Sequence, residues 1–206
     1  MGSVSAILLA AGESRRMGDR NKLELMVYGL PLVRRTAHTL LASRLVEVVV
    51  VLGHESDRIR HLLEGLSLAF VENAYYREGQ MTSVHAGLAA LSRPCDGFMV
   101  CLADQPLLEA GDVDGLIRAF DERSRGSVLV PTFEGRRGNP VILACAHRET
   151  ILASNRRLGC RRFIDENPEL VETVEWQNDH VVFDLDTPED YRELVRRVGA
   201  VPPLQR

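Results

Sequence analysis

A chain of 206 residues, 45% of them hydrophobic, can bury a substantial core; it is long for one domain and short for two, so a single domain over residues 1–198 with a flexible tail at 199–206 is expected. The 25 basic and 29 acidic residues leave a formal net charge of −4, so no whole-molecule field draws nucleic acid or an acidic membrane, and any anionic substrate has to be held by a local site. Cys95, Cys101, Cys145 and Cys160 are far apart in sequence without a CxxC pair, which disfavours a disulfide scaffold or structural zinc; no window reaches the roughly 18–20 apolar residues that span a bilayer, and a reducing cytoplasm fits best.

In chain order, residues 4–10 read as a buried strand, and residues 32–43 as a helix, with Leu32, Val33, Ala37, Leu40 and Leu41 at helical spacing. The β-branched run 46–52 reads as a second strand ended by Gly53, followed by a helical stripe at 59–66 and a short strand at 68–71. Residues 83–91 look helical, 97–102 extended, and 113–120 helical with Asp112 as cap. Shorter pieces follow at 128–132, 140–144, 150–154, 171–176 and 181–184, the last read as a strand. Two strands flanking 134–139 look like a hairpin or a connection over the sheet, and 191–198 reads as a closing helix. Strands alternating with helices imply an α/β protein, a three-layer α/β/α arrangement on a mainly parallel sheet with a small antiparallel subregion; such sheets bind ligands outside their C-terminal strand ends.

The loop after the first strand, Leu9-Ala10-Ala11-Gly12-Glu13-Ser14-Arg15-Arg16-Met17-Gly18, is built of small residues that let a ligand approach the backbone, and Gly12 can adopt dihedrals that gather amide N–H groups around an anion. Arg15, Arg16 and Lys22 add cations there, although a tight turn with solvated arginines explains the same residues. Neither GxxxxGK[ST] nor GxGxxG is present. Asp104 follows the strand at 97–102, while Asp184 and Asp186, two apart, follow the strand read at 181–183. Carboxylates from separate strand ends can hold Mg²⁺, a hard cation that prefers oxygen. Asp186 or Thr187 also suits the cap of the following helix, with Pro188 in its first turn. Thr82 or Ser83 can cap the helix they begin or meet a nucleotide. Arg136 and Arg137, beside the turn residues Gly138, Asn139 and Pro140, can reach a phosphate or stay solvated, and so can the basic group Arg156, Arg157, Arg161 and Arg162. No GxSxG or HExxH hydrolase motif occurs.

Together these motifs resemble the MobA-like nucleotidyltransferase family, closest to its molybdenum cofactor cytidylyltransferases, from about Ile7 to Leu194. The resemblance rests on the first loop with Lys22, Gly79-Gln80-Met81-Thr82-Ser83, Leu102-Ala103-Asp104-Gln105-Pro106, Arg137-Gly138-Asn139-Pro140 and Asp184-Leu185-Asp186-Thr187-Pro188-Glu189-Asp190. It implies a Rossmann-like nucleotidyltransferase fold and Mg²⁺-dependent transfer of CMP from CTP to molybdopterin. It further implies that Leu9, Ala10, Ala11, Gly12 and Ser83 line the nucleotide, that Arg16 and Lys22 contact its phosphates, and that Asp104 holds magnesium with Asp184 or Asp186. Arg137, Gly138, Asn139 and Pro140 fall where the acceptor is expected. The partners implied are small molecules, with a molybdoenzyme or its chaperone to receive the product. Ala10-Ala11-Gly12 is similar to cytidylyltransferases; guanylyltransferases usually have an Ala-Gly-Gly form.

Overall fold

The computed structural model describes residues 2–18, 20–124, 126–153 and 160–198, without the side chains of 160 and 161. The ten strands in chain order are β1 (Val4–Ala10), β2 (Met26–Val27), β3 (Leu30–Pro31), β4 (Glu47–Leu52), β5 (Ala69–Glu72), β6 (Gly97–Leu102), β7 (Val128–Phe133), β8 (Arg136–Arg137), β9 (Val141–Ala144) and β10 (Val171–Glu175). The helices are α1 (Leu32–Leu41), α2 (Ser56–Leu62), α3 (Gln80–Ala90), α4 (Ala110–Glu122), α5 (Arg148–Ala153), α6 (Cys160–Glu166) and α7 (Pro188–Val198).

The main sheet runs β10-β7-β9-β6-β1-β4-β5, with β8 paired to β7; β2 and β3 form a separate hairpin. β1 pairs in parallel with both β4 and β6, β4 with β5, and β7 with β10. β9 is inserted antiparallel between β6 and β7. This is the antiparallel subregion expected from sequence, and its turn is made by Glu134 and Gly135, both at positive φ. The chain thus has the expected mixed α/β fold on a mostly parallel sheet.

Alternation along the strands divides the core. Ala6, Leu8, Val48, Val50, Met99 and Cys101 face α1, α2 and α4, burying Val33, Leu40, Ile59, Leu116 and Phe120. Ile7, Val49, Val51, Phe98 and Val100 face the opposite way onto Met81, Val84, Leu88, Ile151 and Ile164. Leu185 and Leu194 join Leu25, Val27, Leu32 and Leu107 in a third cluster, which seats α7 beside the small hairpin. No helix among the described residues is long and apolar enough to cross a membrane. Cys95, Cys101 and Cys145 are free thiols, and the sulfurs of Cys95 and Cys145 are 2.7 Å apart.

Two local expectations need correction. Residues 181–184 are not a strand: a short 3-10 turn (Asp179–Val181) leads into an irregular stretch that pairs with no strand among the described residues. Val181 and the following Leu185 are completely buried and Val182 and Phe183 partly so, and the strand-like composition reflects this packing and not pairing. The cap of α4 is Glu109; Asp112 is the reciprocal member of a capping box, accepting the Glu109 N–H at 2.9 Å.

Candidate functional site

The loop after β1 crosses the carboxyl edge of the sheet where β4 and β6 flank β1 on either side, the point at which open α/β sheets bind ligands. A cavity of about 390 Å³ opens there, and Leu9, Ala11, Gly12, Arg16, Lys22, Ser83, Asp104 and Asp186 all line it. Ala10, also expected to line the nucleotide, is turned into the core and 1% exposed, as the strand alternation demands. Gly12 is not in the left-handed region; Ser14 at φ 51° and Gly18 at φ 68° make the turn instead. An added Cβ on Gly12 would meet nothing within 4 Å among the described residues, whereas one on Gly53 would stand 2.7 Å from the Ala11 Cβ and 2.9 Å from that of Tyr76. The close approach beside this cavity is therefore made at Gly53, against the lining residues Ala11 and Tyr76.

Ser14 and Asn21 hold the loop closed. The Lys22 backbone N–H donates to Ser14 Oγ at 3.1 Å, the Leu23 N–H to Asn21 Oδ1 at 3.1 Å, and buried Asn21 donates to Glu55 at 2.9 Å. This aims Lys22 at two carboxylates: its ammonium pairs closely with Asp104 Oδ2 and lies 2.8 Å from Asp186 Oδ1. Arg16 takes the other oxygen of Asp186 at 2.9 Å but is mostly exposed, so that pair is weak. Burial opposes the Lys22 charge, yet Asp104 and Asp186 together hold its pKa above the ordinary lysine value.

Asp186 is free for these pairs because Thr187 caps α7. The Thr187 hydroxyl accepts the Asp190 N–H at 3.2 Å, and Asp190 Oδ2 accepts the Asp186 and Thr187 N–H groups at 3.0 and 2.7 Å. Asp184 does not line this cavity. Burial, then the nearby charges of Asp104 and Asp186, push its carboxyl up to about 6.

Asp104 Oδ1 and Asp184 Oδ1 are buried oxygens without a hydrogen-bond partner among the described residues. Two such carboxylate oxygens, electrostatically coupled at one sheet edge, fit a hard divalent cation. Asp186 has both oxygens engaged by Lys22 and Arg16. Among the described residues no group of three or more His, Cys, Asp or Glu side chains is arranged to hold a metal alone, so a cation here would draw further ligands from water or substrate.

A second cavity, about 510 Å³, adjoins the first across Gln80 and Leu102, which line both. Gly138 and Asn139 line it with the exposed Arg136 and Arg137, beside apolar walls that include Met81, Val130 and Ile164. Pro140 is buried and does not line it. Gly138 is required by proximity, since a Cβ there would collide with the Val181 carbonyl oxygen. Arg137 is half-exposed and paired with Asp165. Thr82 is structural: its hydroxyl accepts from Asn73 at 2.8 Å and faces the Tyr75 and Gly79 carbonyls. Ser83 accepts from the same amide at 2.9 Å while remaining at the cavity wall. Of the basic group at 156–162, Arg162 pairs with Glu166; Arg156, Arg157 and the Arg161 side chain lie outside the described residues. Glu13, Tyr76 and Gln80 line the first cavity without having been singled out from sequence; Gln80 had a signal in the Gly79–Ser83 motif, but Tyr76 is brought in only by the Gly53 contact.

A family model described as the MobA-like NTP transferase domain matches residues 6–173. A protein of Natronomonas pharaonis named probable molybdenum cofactor guanylyltransferase is 29% identical over 209 residues, covering 97% of this chain and 100% of its own. Nicotine blue oxidoreductase of Paenarthrobacter nicotinovorans is 28% identical over 197 residues, with 93% and 96% covered. Among solved structures, the homologue of Mycobacterium tuberculosis Rv0371c from Mycobacterium sp. strain JC1 superposes with a TM-score of 0.80 at 25% identity, covering 95% of this chain and 96% of that one.

Proposed function

The chain belongs to the MobA-like NTP transferase family, and from that premise we propose that it transfers CMP from CTP to the phosphate of molybdopterin, with magnesium, releasing pyrophosphate and supplying the product to a molybdoenzyme or its chaperone. The observation that carries this reading is the adjacency of two cavities of unlike character. One has cations and carboxylates at the sheet edge; the other has apolar walls and an arginine rim, and Gln80 and Leu102 are shared between them.

In this reading the triphosphate enters the first cavity over Gly12, whose bare Cα lets the phosphates approach the loop, and Arg16 and Lys22 neutralise them. Lys22 moves from the Asp104 carboxylate to a phosphate oxygen as the nucleotide arrives. The apolar wall of the second cavity packs the body of a flat acceptor, and Arg136 and Arg137 at its rim attract the acceptor's negative charge. An acceptor phosphate oxygen attacks the α-phosphorus in line; the new P–O bond forms as the bond to the β-phosphate breaks, and pyrophosphate leaves. No general base is needed, because the ionised phosphate is already a nucleophile. Asp104 and Asp184 would hold Mg²⁺, which when bound supplies positive charge beside the reacting phosphates.

Cytidine as the base is supported by Ala11, which lines the first cavity at the position where an Ala-Gly-Gly loop has glycine. The name of the Natronomonas relative favours a second reading, with GTP as donor. Pyrophosphate release with each of four nucleoside triphosphates, with molybdopterin or a sugar phosphate, and with Mg²⁺ or EDTA, tests all these terms. Release only with CTP, molybdopterin and Mg²⁺ is expected. Release with GTP alone overturns the base assignment, release only with sugar phosphates overturns the acceptor, and no release with any pair identifies a nucleotide-binding accessory protein instead.

A further inference from the structure

A buried polar cluster that takes no part in this chemistry lies at the start of α4. Asp112, 9% exposed, accepts from three donors: the Glu109 N–H at 2.9 Å, Trp176 Nε1 at 2.9 Å and His180 Nδ1 at 2.8 Å. The first bond alone completes the capping box. The other two reach residues 64 and 68 positions away, on the segment between β10 and α7. That segment is fitted to the helix: a Cβ on Gly115 would stand 2.7 Å from Trp176 Cη2. The Trp176 backbone N–H also donates to the Thr132 carbonyl at 2.7 Å, at the end of β7.

What the segment carries next is the acceptor side of the site. The Val181 carbonyl, one residue beyond His180, accepts the Asn139 N–H at 2.7 Å and Gln105 Nε2 at 3.2 Å. Asn139 and Gly138 line the second cavity. The far end of the segment has its own anchors, the Leu185 N–H on the Asp104 carbonyl at 2.8 Å and the Thr187 cap, so it depends less on the cluster. A buried carboxylate with two bonds beyond the needs of its own helix fixes the path of another element, since losing a donor would strand a desolvated charge.

We propose that Asp112, His180 and Trp176 form a clasp that positions the Gly138–Asn139 acceptor loop through the Val181 carbonyl, making them positioning residues for the acceptor and not for the nucleotide. The inference rests on the acceptor reading given above. Two variants break the clasp from opposite sides: His180→Ala removes a donor, and Gly115→Ala pushes on the indole without touching a polar group. Trp176 is the only tryptophan, so its fluorescence reports the clasp directly.

In both variants we expect Trp176 emission to move to longer wavelength and the Asn139 amide to exchange about tenfold faster or more. The acceptor KM should rise about fivefold or more while the CTP KM stays within about twofold. Unmoved emission in both variants, unchanged Asn139 protection when emission has moved, or a parallel rise in both KM values overturns the clasp. If the wild-type protein transfers to no acceptor, the proposed function fails, yet amide exchange still decides the clasp.

Discussion

Gly12 separates a structural glycine from one that serves a ligand. Neither its backbone nor the surrounding protein needs the missing side chain. Gly12→Ala should therefore keep the melting temperature within about 1 °C and raise the CTP KM by about tenfold. A fall of several degrees with an unchanged KM would make it a turn residue after all. Beside it, Ala11→Gly removes the methyl that faces Gly53 in a residue lining the cavity and should shift the CTP-to-GTP ratio of kcat/KM toward GTP by about tenfold; an unchanged ratio would remove Ala11 from base selection. At Asp184 the folded carboxyl titrates at about 6, above its ordinary 3.8. Its contribution to stability is full below pH 3.8 and is lost as pH rises through 6, because ionising the carboxylate in its buried site is unfavourable. Without metal, Asp184→Asn should be more stable at pH 7.5 by roughly 2–3 kcal/mol, and the gain should vanish at about pH 4. Thermal melts of both proteins in EDTA across that range check this; equal stability at every pH would contradict it. Single-residue roles were only half legible in the sequence. Asp186 and Thr187 are equally good caps on paper; in the structure Thr187 caps α7 and Asp186 engages Lys22, 164 positions away, a pairing that no local sequence signal shows.

Among the elements, α3 carries both Gln80 and Ser83 to the first cavity and lies directly on β1 and β4. Gly87 permits that contact: a Cβ would overlap Ile7 Cγ2 and stand 3.0 Å from Val51 Cγ2. Gly87→Ala gains about 1 kcal/mol of helix propensity but overpacks a core of β-branched side chains at a cost of about 1–3 kcal/mol. The colliding atom belongs to a fully buried strand residue with nowhere to move, so the cost wins. The variant should melt several degrees lower and bind CTP more weakly as α3 is lifted; a higher melting temperature would show that the sheet yields. Central strands were read well from sequence, β1 and β6 to their end residues, because they are continuous apolar runs bounded by turns; α3 begins at Gln80 with Gly79 as its cap, three residues before the helix expected at 83–91, so Thr82 and Ser83 lie inside it and do not cap it. The segment at 181–184 was misread because an apolar run buried without a sheet partner has the same composition as a strand. The Asp112 clasp on that segment was not visible either, since its members come from two distant sequence neighbourhoods, residue 112 and residues 176–180, brought together by the packing of α4 against the segment after β10.

For the whole molecule, the net charge of −4 leaves recognition of an anionic substrate to local cations, and the fold gathers them where three separate chain segments meet. Lys22 comes from the loop after β1, Asp104 from the end of β6, and Asp186 from the approach to α7, yet one ammonium touches both carboxylates. The parallel order and the antiparallel insertion could be inferred from alternation and turn residues. The closeness of residues 22, 104 and 186 followed from topology combined with family resemblance, because spacing in sequence carries no information across 164 positions. The most direct measurement is pyrophosphate release by Asp104→Asn beside the wild-type protein, with CTP, molybdopterin and magnesium. Loss of turnover by about a thousandfold with a melting temperature within a few degrees of wild type is the expected result; undiminished magnesium-dependent turnover would contradict a reaction centre at this carboxylate.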